Sequence, residues 1–455
     1  MPGPGALKGD RTTEFRLPEV LQSWGRKAWA IALIAVVALV VGANALMQRR
    51  ERGRWTVSIT DPSMIAIRNL VVKGNVSQAT NKLNSTYRFD RESGLIALRQ
   101  FSMIVLQRGL KERDRFEQCY AASALAEGGE NEALQMMADT FQTDPDLSLK
   151  MAIADGLGEV GDRKAVAILG HLYYHGEMLD RRFIINALSS ATDPSAVVVL
   201  SDAVKQSSDP SLRLAALKGL GKVGNRDAMP LLKLALAKGR AFERVTAAES
   251  LLLMGDNSGV EMLRATLTNH SDGNAQAMAA VALGYAHDPA SLPILRQALT
   301  DQNIDVRLGA AAALTHYNDA GGIAYLKGAI RDEDQVTRRH AAELFDDIDF
   351  DAGRPILVAA LSSPDSEVQL AAVKTLGISG RNPEVELLGS LLRDSKDPIT
   401  RADIAWSLGR IGSPNGIEML LAMVQEPDPA VRYTAADGLD HTAMHLLGGK
   451  RLGSR

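Results

Sequence analysis

Cysteine is almost missing from these 455 residues. Cys119 stands alone, which removes intrachain disulfides, cysteine-ligated clusters and Cys-x-x-Cys redox chemistry in one step. Aromatic residues are scarce as well, at 5% against an apolar total of 46%. Any core must be built from Ala, Leu, Val, Ile and Met, residues that pack as helices. Excess positive charge is absent from most of the chain. Residues 1–54 hold nine Lys and Arg against four Asp and Glu, leaving 42 basic and 50 acidic residues in the remainder. So acidic a body has no stripe for tracking phosphates, and nucleic acid is not an expected partner.

One long apolar run is present. Residues 28–47, AWAIALIAVVALVVGANALM, carry no charge and are long enough, at about 30 Å as a helix, to cross a bilayer. Trp24, Trp29 and Trp55 flank the run as interfacial aromatics do. It reads as a transmembrane helix, with a cleaved signal peptide ending near Ala43, Asn44 and Ala45 as the rival. Lys and Arg are nearly balanced across it. An N-terminal span before a large domain favours a single-pass membrane protein with an extracytoplasmic, periplasmic repeat domain. Residues 1–27 are then an N-terminal tail and 48–54 a basic linker suited to lipid headgroups.

Laid on itself, the remainder repeats every 31 or 32 residues. A basic or amide column runs Gln118, Lys150, Arg181, Arg213, Arg244, Gln276, Arg307, Arg338, Gln369, Arg401 and Arg432. Four residues earlier stand Asp114, Asp146, Glu177, Asp209, Arg240, Asp272, Asn303, Asp334, Asp365, Asp397 and Asp428, ten of which can accept from the free N–H groups of a first helical turn. Pro follows at 210, 398 and 429, where its missing donor costs least. Ala or Ile stands three residues after the column. Seven after it Leu occurs in ten of eleven copies, with Phe345 the exception. Positions +3, +4 and +7 make one apolar face, and Gly161, Gly224, Gly255, Gly380 and Gly412 close helices behind it. A second amphipathic helix follows each. The unit is an antiparallel helix pair.

The pattern DPxxRxxAAxxLGxxG, met at 209–224 and at 397–412 with one apolar replacement each, Leu217 and Ile404, resembles the HEAT-like repeat of the phycobilisome-lyase type. The resemblance covers roughly residues 95–447. It implies an all-α, right-handed α-solenoid of about eleven HEAT-like hairpins occupying 93–447, with a helical N-terminal cap at 55–92 and a C-terminal tail at 448–455. It also implies that the Asp and Arg columns link successive turns in a ladder, interrupted at Arg240 and Gln369. Its specificity is for fold, since such repeats serve scaffolds, lyases and unrelated enzymes.

Sites of chemistry compete poorly with structural readings. GLGKVG at 219–224 and GLGEVG at 156–161 match a dinucleotide fingerprint, but each ends a helix instead of following a strand. His171 with His175, and His441 with His445, have the i, i+4 spacing of metal ligands without a third partner. Asp346, Asp347, Asp349 and Asp351 are spaced like a calcium loop, yet Ala352 and Val358 occupy the glycine and glutamate positions. None of the eight histidines precedes Glu, unlike the di-iron ligands of HEAT-repeat deoxyhypusine hydroxylases. No catalytic residue, metal, cofactor or small-molecule substrate is expected.

With about eleven layers roughly 8–10 Å apart, an open array extends on the order of 100 Å. Column positions +1 and +5 then line its concave side, among them Leu214, Lys218, Glu249, Arg339, Glu343, Leu370, Lys374, Trp406, Tyr433 and Asp437. Trp406 and Tyr433, aromatic and beside charges, are the expected protein-binding anchors. A non-enzymatic, membrane-anchored scaffold for protein partners in an envelope assembly is the expectation; an enzyme accessory or phycobilin-lyase-like protein acting on a protein substrate is the alternative.

Overall fold

A computed structural model describes residues 59–269 and 272–448. They form 24 α-helices, and no strand occurs among them. A first hairpin, α1 (Pro62–Val72) and α2 (Val76–Thr86), precedes a long α3 (Glu92–Gly109). Ten hairpins follow: α4 (Arg115–Glu127) with α5 (Asn131–Thr143), α6 (Leu147–Val160) with α7 (Arg163–His175), α8 (Met178–Ser190) with α9 (Ala196–Gln206), α10 (Pro210–Val223) with α11 (Met229–Lys238), α12 (Ala241–Leu253) with α13 (Val260–Thr268), α14 (Gly273–Tyr285) with α15 (Leu292–Ala298), α16 (Ile304–Thr315) with α17 (Ala320–Ala329), α18 (Gln335–Glu343) with α19 (Phe350–Ala360), α20 (Ser366–Ile378) with α21 (Pro383–Asp394), and α22 (Pro398–Ile411) with α23 (Ile417–Met423). The chain of repeats ends on a single long helix, α24 (Pro429–Leu446).

Each repeat helix starts where the acidic column places it. In nine of the eleven copies the Asp or Asn side chain accepts from a first-turn N–H, as Asp146 does from Ser148 and Leu149. Glu177 makes no such bond, and at Arg240 the side chain of Glu243 takes the cap's own N–H instead. The basic column works on the preceding turn. Arg213, Arg307, Arg338 and Arg401 each donate to the carbonyl six residues earlier, at 2.7–2.9 Å, and Gln118 does the same at 2.6 Å. Gln276 and Gln369 reach the end of the previous helix, at Leu267 and Leu361. The expected Asp–Arg ladder between repeats is therefore mostly replaced by a local device, in which one column caps a helix start and the other satisfies carbonyls at the preceding helix end. Cross-repeat pairs survive at Lys150–Asp180, Arg213–Glu243 and Arg401–Glu426, and at Arg338–Asp365, 3.6 Å apart, the two columns themselves meet.

The +7 column is the spine of the core, every member being 2% exposed or less. Between inner helices, the small residue at +8 meets position +6 of the next. A Cβ on Gly221 would lie 2.6 Å from Ser250 Cα, and one on Gly377 2.7 Å from Ser407 Cα. One on Gly409 would lie 2.4 Å from Gly438 Cα. GLGKVG is thus a helix-packing and capping signal: Gly219 faces Ser189, Gly221 faces Ser250, and Gly224 ends the helix at φ 67°.

The array closes on itself. Helix α24 packs on α22 before it, and also on α3 and α4 from the other end. Among the described residues no outer helix follows α24, and α3 packs against it instead. Gly109 of α3 lies so close that an added Cβ would meet Ala121 at 2.6 Å and Tyr433 at 2.9 Å. Arg99 of α3 and Asp440 of α24, 1% and 2% exposed, pair at 2.9 Å, and Arg99 also donates to the Gly128 carbonyl at 3.0 Å. An open span of about 100 Å is corrected to a ring. Its eleven inner helices are α4 and every second helix to α24, and the α1–α2 hairpin packs against α3.

The single-pass membrane placement is likewise corrected. No helix among the described residues is long and apolar enough to cross a bilayer, and residues 28–47, on which that reading rested, lie outside them.

Two substitutions test this packing. Arg99→Met strands a buried carboxylate and is expected to cost about 3–5 kcal/mol in urea denaturation, most of it regained in Arg99→Met/Asp440→Leu; a loss below about 1 kcal/mol would show that the pair does not hold the seam. Gly409→Ala is expected to cost about 1–3 kcal/mol through overpacking. Gly328→Ala, in α17 with nothing near its added methyl, is expected to stabilise by up to roughly 1 kcal/mol.

Candidate functional site

Inner helices packed this closely turn a concave face to a lumen. The hydroxyl of Tyr285, on α14, reaches Asp347, beyond α18, at 2.8 Å, so side chains two repeats apart touch across the curve. Two cavities open on this face. The first, about 460 Å³, crosses α10, α12, α14, α16 and α18. The second, about 510 Å³, straddles the seam between α22 and α24 on one side and α4 and α6 on the other, with Lys374 of α20 at its edge.

Eight of the ten expected surface residues line these cavities. Leu214, Lys218, Glu249 and Glu343 lie in the first, and Lys374, Trp406, Tyr433 and Asp437 in the second. Arg339 and Leu370 line neither; Arg339 is taken up by ion pairs to Asp365 at 3.3 Å and Glu367 at 3.0 Å. Tyr433 is not an exposed anchor. It is 1% exposed and donates to Glu112 at 2.5 Å, because closure of the ring covers it. Trp406 is half-buried, with the Arg410 guanidinium 5.2 Å from its ring centre.

Other lumenal residues lie outside the expected stripe. Position +9 contributes Glu127, Glu159 and Asp347, position +2 contributes Tyr120, His340 and Asp403, and position −2 contributes Asp305 and Ile399. Position +9 is one turn beyond +5 and −2 one turn before +1, so a longer stripe would have found those, while +2 lies beside +1 and needed a wider one. Both cavities are anionic: Glu249, Asp305, Glu343 and Asp347 face Lys218 and His340 in the first, while Glu127, Asp155, Glu159, Asp403 and Asp437 face Lys374 in the second. Three large apolar side chains at the seam cavity are exposed, Tyr120 at 52%, Met151 at 45% and Ile399 at 64%.

The two histidine pairs are arranged differently. His171 and His175 stack with ring centres 4.4 Å apart on the exposed side of α7. His441 turns away from His445 and joins Glu127 and Asp437, the one trio of potential metal donors among the described residues, within 4.8 Å of one another. Both its ring nitrogens are engaged, Nε2 with Glu127 at 2.9 Å and Nδ1 with Asp437 at 3.3 Å. Burial opposes charge on this imidazole, yet Asp437 and Glu127 hold its pKa well above the ordinary value. The trio is a bridge between α4 and α24. The four aspartates of 346–351 diverge to separate partners: Thr375, Tyr285, the N–H of Ala352 and Arg381.

Glu159 is exposed to the lumen, but the surrounding ring wall, and after it the Glu127 charge, push its carboxyl from 4.5 up to about 7. A carboxyl raised in the folded state favours its protonated form, so its effect on stability worsens as pH rises from 4.5 to 7 and is constant outside that window. Glu159→Gln is expected to gain melting temperature over the parent progressively between these values and to match it at lower pH. A pH-independent difference in thermal scans would contradict enclosure and like charge as the origin of the shift.

The similarity to known proteins is one of architecture. A family model described as HEAT repeats matches residues 175–252, 260–346, 326–408 and 385–445, more than half of the chain. No curated protein matches the sequence. Among solved structures, a phycocyanin lyase complex from Nostoc sp. PCC7120 is 20% identical, covering 53% of this chain and 92% of that one, with a TM-score of 0.34. Human deoxyhypusine hydroxylase is 15% identical over 63% of this chain and 97% of its own, with a TM-score of 0.29. Kap95p, from a complex with RanGDP, is 12% identical over 84% and 58%, with a TM-score of 0.33. On the repeats matched along most of its helical array, the chain belongs to the HEAT-repeat family.

Proposed function

We propose that this HEAT-repeat ring is a non-catalytic scaffold that holds protein partners against its lumen. One observation carries the reading: beside a half-buried Trp406, the seam cavity leaves Tyr120, Met151 and Ile399 exposed among carboxylates. Apolar side chains uncovered inside a concave, charged surface are what protein interfaces use as anchors. Inner-face residues of five helices contribute to each cavity, so a partner would be read by several repeats at once.

Trp406→Ala/Ile399→Ser is expected to weaken capture of crosslinked partners roughly thirtyfold, the effect of one interface hot spot of about 2 kcal/mol. The outer-face control Val198→Ser, which removes another exposed apolar side chain, is expected to leave capture unchanged. Equal capture by both variants, each with a parental circular dichroism spectrum, would remove the lumen as the binding surface.

A further inference from the structure

Among the described residues lining the two cavities, Glu249 is the buried carboxylate without a partner. It occupies position +5 of α12, is 7% exposed, and lines the first cavity without a hydrogen bond or ion pair to any described residue. Lys218, one repeat earlier, acts on it only through space. A carboxylate withdrawn from water without a partner costs several kcal/mol as a rule. Elsewhere in the ring such groups are paired: Asp440 has Arg99, and Glu384, fully buried, has Arg354 at 2.7 Å. Among the described buried carboxylates, Glu249 is the one left without such a pair, and it faces the cavity.

The surroundings define what could fill it. Leu214, Met278, Val281 and Leu308 supply apolar wall, while Asp305, Glu343 and Asp347 add carboxylates around it. Of these, Asp305 is matched to His340 at 2.9 Å and Asp347 to the Tyr285 hydroxyl at 2.8 Å. An apolar sleeve ending on one carboxylate suits a long aliphatic stem carrying a point charge. A guanidinium would pair bidentately with that carboxylate but leave three of its five N–H donors to be met against the apolar wall, whereas an ammonium has three donors in all.

We propose that the first cavity is a recognition site for a lysine side chain on a basic, extended segment of a protein partner, with the lysine ammonium seated on Glu249. The inference rests on the scaffold reading and specifies its ligand. A segment is preferred over a free amine because the cavity crosses five helices, beyond the needs of a single side chain. Its carboxylates outnumber its cations, so further basic residues along the segment would be matched as well.

The test uses fluorescence anisotropy of the full chain with a short labelled peptide alternating lysine and leucine. The parent protein is expected to bind it, and to bind the same peptide with glutamine for lysine far more weakly. Glu249→Gln is expected to lose roughly thirtyfold in affinity for the lysine peptide, the lower end of the cost of removing one member of a buried ion pair. It should also cease to discriminate between the two peptides, and its melting temperature should not fall, since an unpaired buried charge has been removed. An arginine version is expected to bind less tightly than the lysine one. Undiminished affinity or discrimination in Glu249→Gln overturns the site, as does equal binding of lysine and glutamine peptides by the parent. Displacement of the peptide by spermine at equal concentration would reassign the cavity to small amines and overturn the segment. If the peptides fail while Trp406→Ala/Ile399→Ser still abolishes partner capture, this inference falls and the scaffold reading stands; loss of both fails the scaffold reading itself.

Discussion

Near-contact of the inner helix backbones sets everything else in this molecule. Where Gly409 meets Gly438, or Gly221 meets Ser250, no side chain separates the helices, so the inner layer is drawn tight. The outer helices, with larger residues between them, touch their neighbours only sparsely. A layer held closer on one side must bend toward that side. Spread over eleven repeats the bend amounts to roughly 33° at each step, enough for the last inner helix to arrive beside the first.

Closure changes the part played by charge. In an open solenoid, α3 and α24 would be end helices, and buried ions there would be costly errors. In the ring they face each other, and Arg99, Asp440, Gly128, Glu112, Tyr433, Glu127 and His441 join residues more than three hundred positions apart in the chain as well as near neighbours. Pairing fixes which helix may complete the last repeat, since an apolar face would accept any helix of suitable size. Two lumenal carboxylates are arranged in the opposite way. Glu159 is crowded by like charges, and Glu249 has no described partner at all.

What the sequence made legible was whatever recurs. Capping side chains, the +7 column, the small residues and the +1 and +5 stripe recur along the array, and most lie near their predicted places because one helix pair fixes its own local geometry. Closure was illegible because it occurs once. Nothing in the spacing of 92–109 announces that α3 belongs to the far end, and Arg99 stands outside every column. Tyr433 was misplaced for the same reason: at +1 it belongs to the lumenal stripe, but the helix covering it comes from the other terminus. The role of the basic column was also hidden, since its acceptors are carbonyls of the preceding turn, whose direction no residue identity reveals.

Ring closure also alters how stability is shared. An open repeat array is approximately a sum of neighbour interactions, free to fray at its ends and to nucleate anywhere. Here neither terminal repeat is complete until α3 has packed on α24, a contact that must wait for nearly the whole array to form and that pays the loop-closure entropy of a very long segment. That entropy grows only as the logarithm of length, so about 350 residues cost little more than half as many would. A single well-paired seam suffices against it. Once formed, the seam removes both fraying ends together, which keeps the lumenal side chains of distant repeats in register and lets α4 and α22 present one cavity to one partner.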